Sequence, residues 1–82
     1  ADQGYAPAQH LMGGMFEEGW AVARNYIEAY KWYTLAMRNA KQVMAIDSNY
    51  DPVAARKRLT KRMNNFQITR GKQRAQAWKN SL

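Results

Sequence analysis

The stretch Asn25-Tyr26-Ile27-Glu28-Ala29-Tyr30-Lys31-Trp32-Tyr33-Thr34-Leu35-Ala36-Met37 decides the fold. Its residues Tyr26, Ala29, Tyr30, Tyr33, Ala36 and Met37 return at intervals of three and four, which is one face of an α-helix. The stripe runs on through Ala40, Val43 and Met44. The period therefore predicts an extended helix of about five turns, ending at the turn-forming cluster Asp47-Ser48-Asn49. Asn25 and Glu28 have the spacing of a capping box. In such a box the Asn25 side chain accepts from an orphan N–H near Glu28, and the Glu28 carboxylate accepts from the N–H of Asn25.

Working outward, Pro7 suits the first turn of a preceding helix, where its missing N–H costs nothing. Ala8, Leu11, Met12, Met15 and Phe16 follow at helical spacing, and Gly19 is the stop signal. That helix is expected over residues 7–18. Downstream, Asp51-Pro52 reads as a cap followed by a first-turn proline, opening a helix to about Met63. Asn64 and Gln67 form a second candidate capping box. A last helix then runs to about Asn80, with Ile68, Gly71, Ala75, Trp78 and Leu82 along one stripe and Phe66 packed in its first turn. The β-branched residues are few and do not alternate with polar ones, so strands are not expected. The fold class that follows is all-α: about four helices joined by short turns, the second one extended.

A chain of 82 residues supports one domain with a thin core. It contains no cysteine and one histidine. Disulfide scaffolds, thiolate chemistry and Cys- or His-based metal centres are thereby set aside. No apolar run reaches the roughly 20 residues of a membrane span. The composition is compatible with a cytoplasmic or a periplasmic setting. The formal charge is +7, but it is unevenly placed. Residues 1–40 hold four carboxylates and three cations, a net −1, whereas residues 41–82 hold ten cations and two carboxylates, a net +8. Such asymmetry points to an acidic partner, to nucleic acid, or to a solvated helix face.

One longer pattern spans residues 6–40. Ala6-x-Ala8-Gln9-x-x-Met12-Gly13-x-x-Phe16-x-x-Gly19-x-Ala21-Val22-x-x-Asn25-Tyr26-x-x-Ala29-x-x-Trp32-Tyr33-x-x-Ala36 resembles the Sel-1-like repeat, a relative of the tetratricopeptide repeats. Met12, Phe16, Ala21 and Asn25 stand where that family usually has Leu, Tyr, a second Gly and Asp. Ala1-Asp2-Gln3-Gly4 resembles the close of a preceding repeat. Leu59, Met63, Gln67, Ala75 and Trp78 more loosely resemble a half repeat with a capping helix over residues 51–82. Residues 41–50 are then a helix extension and turn. The resemblance implies an α-solenoid whose small residues (Ala8, Gly13, Ala29, Ala36) let paired helices approach, while Met12, Phe16, Trp32 and Tyr33 fill the space between pairs.

Chemistry-bearing motifs are absent. There is no phosphate loop and no dinucleotide fingerprint. Glu17 and Glu18 are adjacent and point about 100° apart on a helix, so they cannot flank one bond. His10 is expected to be exposed, and no nucleophile–base pair is present. The chain is accordingly expected not to be an enzyme and to need no cofactor or metal. The resemblance implies a scaffold or adaptor module that binds another protein, of a kind common in bacteria, and the basic second half suits an acidic one. His10, Gly14 and Glu17 lie beside the packing stripe of the first helix as candidate groove residues. An open N-terminal face implies self-association or dependence on upstream repeats. The alternative is a small basic nucleic-acid-binding protein using residues 52–80 as a helix-turn-helix. In that reading Arg56, Lys57, Arg58, Lys61, Arg62, Arg70 and Arg74 would contact phosphates.

Overall fold

A computed structural model describes residues 5–46 and 49–80, with side chains up to Trp78. It holds five helices: α1 (Ala6–Glu18), α2 (Tyr26–Met37), α3 (Ala40–Ile46), α4 (Pro52–Thr60) and α5 (Asn65–Asn80). The described residues include no strand. Ala1 to Gly4, read above as the close of a preceding repeat, lie outside the described residues, as do Asp47, Ser48, Ser81 and Leu82.

Helix ends follow from particular side chains. Gly19 closes α1 in the left-handed conformation at φ 76°, its N–H donating to the Met15 carbonyl. Asn25 Oδ1 accepts from the Glu28 N–H at 3.1 Å and opens α2. The reciprocal half of that box does not form. The N–H of Asn25 donates instead to the Phe16 carbonyl at 2.9 Å, which ties the loop to α1. The Glu28 carboxylate is thereby left to Lys31 and Arg74. Asp51 accepts from the Val53 and Ala54 N–H groups and starts α4. The Asn64–Gln67 box closes in both directions, at 3.0 and 2.8 Å.

The extended second helix does not hold, and the described residues form five helices where about four were expected. After Met37 the N–H groups of Arg38 and Asn39 reach back only three residues, to the Leu35 and Ala36 carbonyls. The Asn39 amide then donates to Gln42 Oε1 at the start of α3. That bond joins two side chains; asparagine is also a weak helix-interior residue, so a break here costs little local propensity. The break turns α3 back toward the start of α1, where Val43, fully buried, packs with Ala6 and Ala36. A straight helix would carry Val43 past the end of α1. Beyond it, Met44 and Ile46 are exposed. Helix α4 also ends earlier than expected, at Thr60, in a turn of three-residue bonds through Met63.

Helix α2 is the centre of the molecule. Helix α1 runs antiparallel to it, pairing Ala6 with Ala36, and Glu17 with Tyr33. The approach is close at Gly13, where a Cβ would stand 2.6 Å from the Tyr33 ring. Gly71 of α5 meets the Tyr30 ring at the same distance. Helices α4 and α5 each pack on α2, and Ile68 of α5 also reaches the cluster that holds Ala55 and Leu59 of α4. Leu59 and Ala55 bury against Ala29, Tyr30 and Tyr33. Ala75 and Trp78 join Trp32 and Leu35. Phe66, expected to pack, is 69% exposed: Ile68, two positions on and about 200° around the helix, is the residue that faces the α2 core.

One loop residue is strained. Ala21 has φ 61°, a left-handed conformation that its Cβ disfavours by about 1–2 kcal/mol. Ala21→Gly is expected to stabilise the fold by about 0.5–1 kcal/mol, once the greater freedom of an unfolded glycine is subtracted. Urea unfolding checks this, and an unchanged or lower midpoint would refute it.

Candidate functional site

Helices α1 and α4 are not closely packed on each other. The space between them is a concavity of about 220 Å³, floored by Tyr33 of α2. His10, Gly14 and Glu17, singled out from their register on α1, all line it. So do Leu11, Trp20 and Tyr50, which are respectively 56%, 65% and 49% exposed. Arg58 of α4 forms the facing wall.

Glu17 lies at the base of the concavity and not on its rim: it is buried, 1% exposed. Its Oε1 accepts from the Tyr33 hydroxyl at 2.8 Å and from Arg58 at 3.3 Å, and its Oε2 accepts from Arg62 at 3.4 Å. A carboxylate out of water needs such donors. The short Tyr33 bond is the close contact, while the two guanidinium contacts are longer and come from half- to mostly exposed side chains. Burial and the Glu17 carboxylate together push the Tyr33 hydroxyl well above its usual range, so it stays a proton donor. This cluster is the polar tie between α1, α2 and α4. Glu18, one position on, is exposed, in keeping with the turn of the helix between the two.

His10 is not the exposed residue expected. It is half-buried, tilted against Tyr33 with ring centroids 5.3 Å apart and stacked on Tyr50 at the same separation. Tyr50 folds over it because Asp51 and Pro52 fix the start of α4 there. Burial, with help from the Arg58 charge, lowers the His10 pKa below 6.5, although Asp51 and Glu17 pull the other way. The folded state therefore binds fewer protons at this site than the unfolded chain. Its stability contribution is complete above about pH 6.5 and falls as pH drops below that value. His10→Gln is expected to flatten this part of a stability–pH profile measured by urea unfolding between pH 8 and pH 5 (about the range where histidine titrates). A profile unchanged by the substitution would contradict it.

The basic residues divide into two groups. Arg58 and Arg62 are tied to Glu17, and Arg62 also lies over the Tyr26 ring. Arg74 pairs with Glu28, which also holds Lys31. Burial alone would raise the Glu28 pKa, but the bonds from Lys31 and Arg74 outweigh it and lower it. Arg56 lies over the Tyr30 ring and donates to Thr34 Oγ1. Lys57, Lys61 and Arg70 are exposed and make no ion pair among the described residues. So four of the seven candidate phosphate contacts are engaged internally. The sequence reading missed Trp20 and Tyr50 as groove residues. The available signal was a large aromatic just after a helix-stopping glycine, and another just before a helix cap.

Among the described residues no cluster of His, Asp and Glu could hold a metal ion, and no helix is long and apolar enough to cross a membrane. Comparison with protein-family models, with curated proteins and with solved structures finds no match.

Proposed function

We propose that this chain is a protein-interaction module of the Sel-1-like repeat type, acting as a scaffold or adaptor. The reading rests on the concavity between α1 and α4. Leu11, Trp20 and Tyr50 are exposed around a floor made rigid by the Glu17–Tyr33–Arg58 cluster. Exposed aromatic and aliphatic side chains gathered over a fixed base are what an anchoring side chain of a partner would fill. The α4 wall is Arg58, and the helix that carries it holds no carboxylate. The occupant that fits is a peptide segment with an apolar anchor flanked by Asp or Glu. Helix order supports the repeat reading as well. Helix α4 runs antiparallel to α2, placing Arg62 by Tyr26 and Arg56 by Thr34, as α1 also does. Self-association through the exposed apolar residues belongs to the same reading.

The second reading, nucleic-acid binding through α4 and α5, is favoured by the charge of residues 41–82. Against it, four of the seven basic residues it would use are engaged within the fold: Arg58 and Arg62 with Glu17, Arg74 with Glu28, and Arg56 with Tyr30 and Thr34. Fluorescence anisotropy with labelled duplex and single-stranded oligonucleotides separates the two. The module reading expects weak binding that disappears as salt approaches physiological strength. Sub-micromolar, sequence-dependent binding that survives such salt would overturn it.

A further inference from the structure

A second concavity, of about 360 Å³, lies where the end of α2 meets α4 and α5. Its lining includes Arg38, Arg56 and Lys72, together with Thr34, and holds no acidic residue. What distinguishes it is that three cations share one concavity, whereas Lys57, Lys61 and Arg70 line neither this concavity nor the α1–α4 groove. Elsewhere two arginines share Glu17, and Lys31 and Arg74 share Glu28.

Arg56 is the informative residue. It is half-buried and has no carboxylate partner among the described residues, yet it is held from two directions. The Tyr30 ring lies 5.2 Å from its guanidinium, and its Nη1 donates to Thr34 Oγ1 at 3.3 Å. The Thr34 hydroxyl spends its own proton on the Tyr30 carbonyl at 2.8 Å, so a lone pair faces Arg56. The guanidinium is thus ordered, with donors to spare, beside two further cations. A planar fork fixed in this way matches two oxygens of one oxyanion. Three positive charges around one site suit a multiply charged anion better than a carboxylate, which would neutralise only one of them.

We propose that this concavity binds a phosphate-type oxyanion. Arg56 takes two oxygens in its fork, Lys72 and Arg38 supply the remaining charge, and Thr34 is a positioning residue for Arg56. The site is separate from the α1–α4 groove and does not depend on the function proposed for it.

The test is titration of inorganic pyrophosphate into the isotope-labelled full chain, followed by NMR at low and near-physiological salt. Saturable shifts centred on Thr34, Arg38, Arg56 and Lys72 are expected. Arg56→Gln should weaken binding about tenfold or more, and Arg56→Lys should restore part of it, keeping the charge without the fork. Arg38→Gln and Lys72→Gln lie on exposed side chains and carry the test even if Arg56→Gln unfolds the chain; each should weaken binding a few-fold (about one charge–charge contact). Lys57→Gln and Lys61→Gln should leave it unchanged. Vesicles of phosphatidylcholine with and without a phosphoinositide separate the sources: co-sedimentation only with the phosphoinositide, lost in the same variants, assigns a lipid headgroup. Pyrophosphate binding alone assigns a free anion. Non-saturating shifts spread along α4 and α5, or equal losses from all five substitutions to Gln, would overturn the site.

Discussion

Leu59→Ala is expected to lower the free energy of unfolding by about 3 kcal/mol. Leu59 is fully buried among Ala29, Tyr30, Tyr33 and Ala55, and it is the side chain through which α4 grips α2. Truncation removes the transfer free energy of its methyl groups and leaves a cavity. Two of the surrounding side chains resist collapse into it. Tyr33 is held by Glu17 and Gly13, and Tyr30 by Gly71 and Arg56. An 82-residue domain has roughly 4–12 kcal/mol of total stability, so the loss is a large fraction of it. A fall in Tm of more than about 10 °C should follow. Thermal and urea unfolding check this, and a change below about 1 kcal/mol would mean that α4 is not packed on α2 as described.

The second large effect is expected at Glu17. Glu17→Ala removes the acceptor of the Tyr33 hydroxyl and the counter-charge of Arg58 and Arg62. Breaking a fully buried ion pair costs about 3–5 kcal/mol. Here the two arginine side chains are 63% and 43% exposed and regain water when the carboxylate is lost, so most of the electrostatic part is discounted. The unsatisfied Tyr33 hydroxyl contributes about 1–3 kcal/mol. A net loss of about 2–3 kcal/mol is expected for Glu17→Ala. Glu17→Gln keeps an acceptor for Tyr33 and should cost about half as much. Equal effects of the two substitutions would place the stabilisation in the charge rather than in the Tyr33 bond. An effect within about 0.5 kcal/mol of zero would contradict the cluster.

The helical plan was legible because local chemistry agreed with the apolar period. Pro7, Gly19, Asn25, Asp51 and Asn64 each mark a helix end that the structure places within a residue or two. The break after Met37 was not legible. The stripe through Ala40, Val43 and Met44 has the same period whether the helix continues or restarts. Only the tertiary contact of Val43 with Ala6 and Ala36 decides between the two. The candidate site was legible in part. His10, Gly14 and Glu17 share a face of α1, and helical register alone brings them to one concavity. That Glu17 would be buried was hidden, because its partners Tyr33, Arg58 and Arg62 are 16, 41 and 45 residues away. Glu28 shows the same limit: its capping partner was readable at three residues, while Arg74, 46 residues on, claimed its carboxylate.

The central claim is that the α1–α4 groove is the face that receives a partner. Its most direct measurement is the affinity of display-selected peptides for the full chain and for two groove variants, Trp20→Ala and Leu11→Ser. Both side chains are exposed, so neither substitution removes a core contact. The account predicts that selected peptides carry an apolar anchor beside acidic residues. It also predicts that they lose about tenfold or more in affinity on Trp20→Ala, as a central aromatic anchor should. Peptides that bind the parent chain and both variants equally would contradict it.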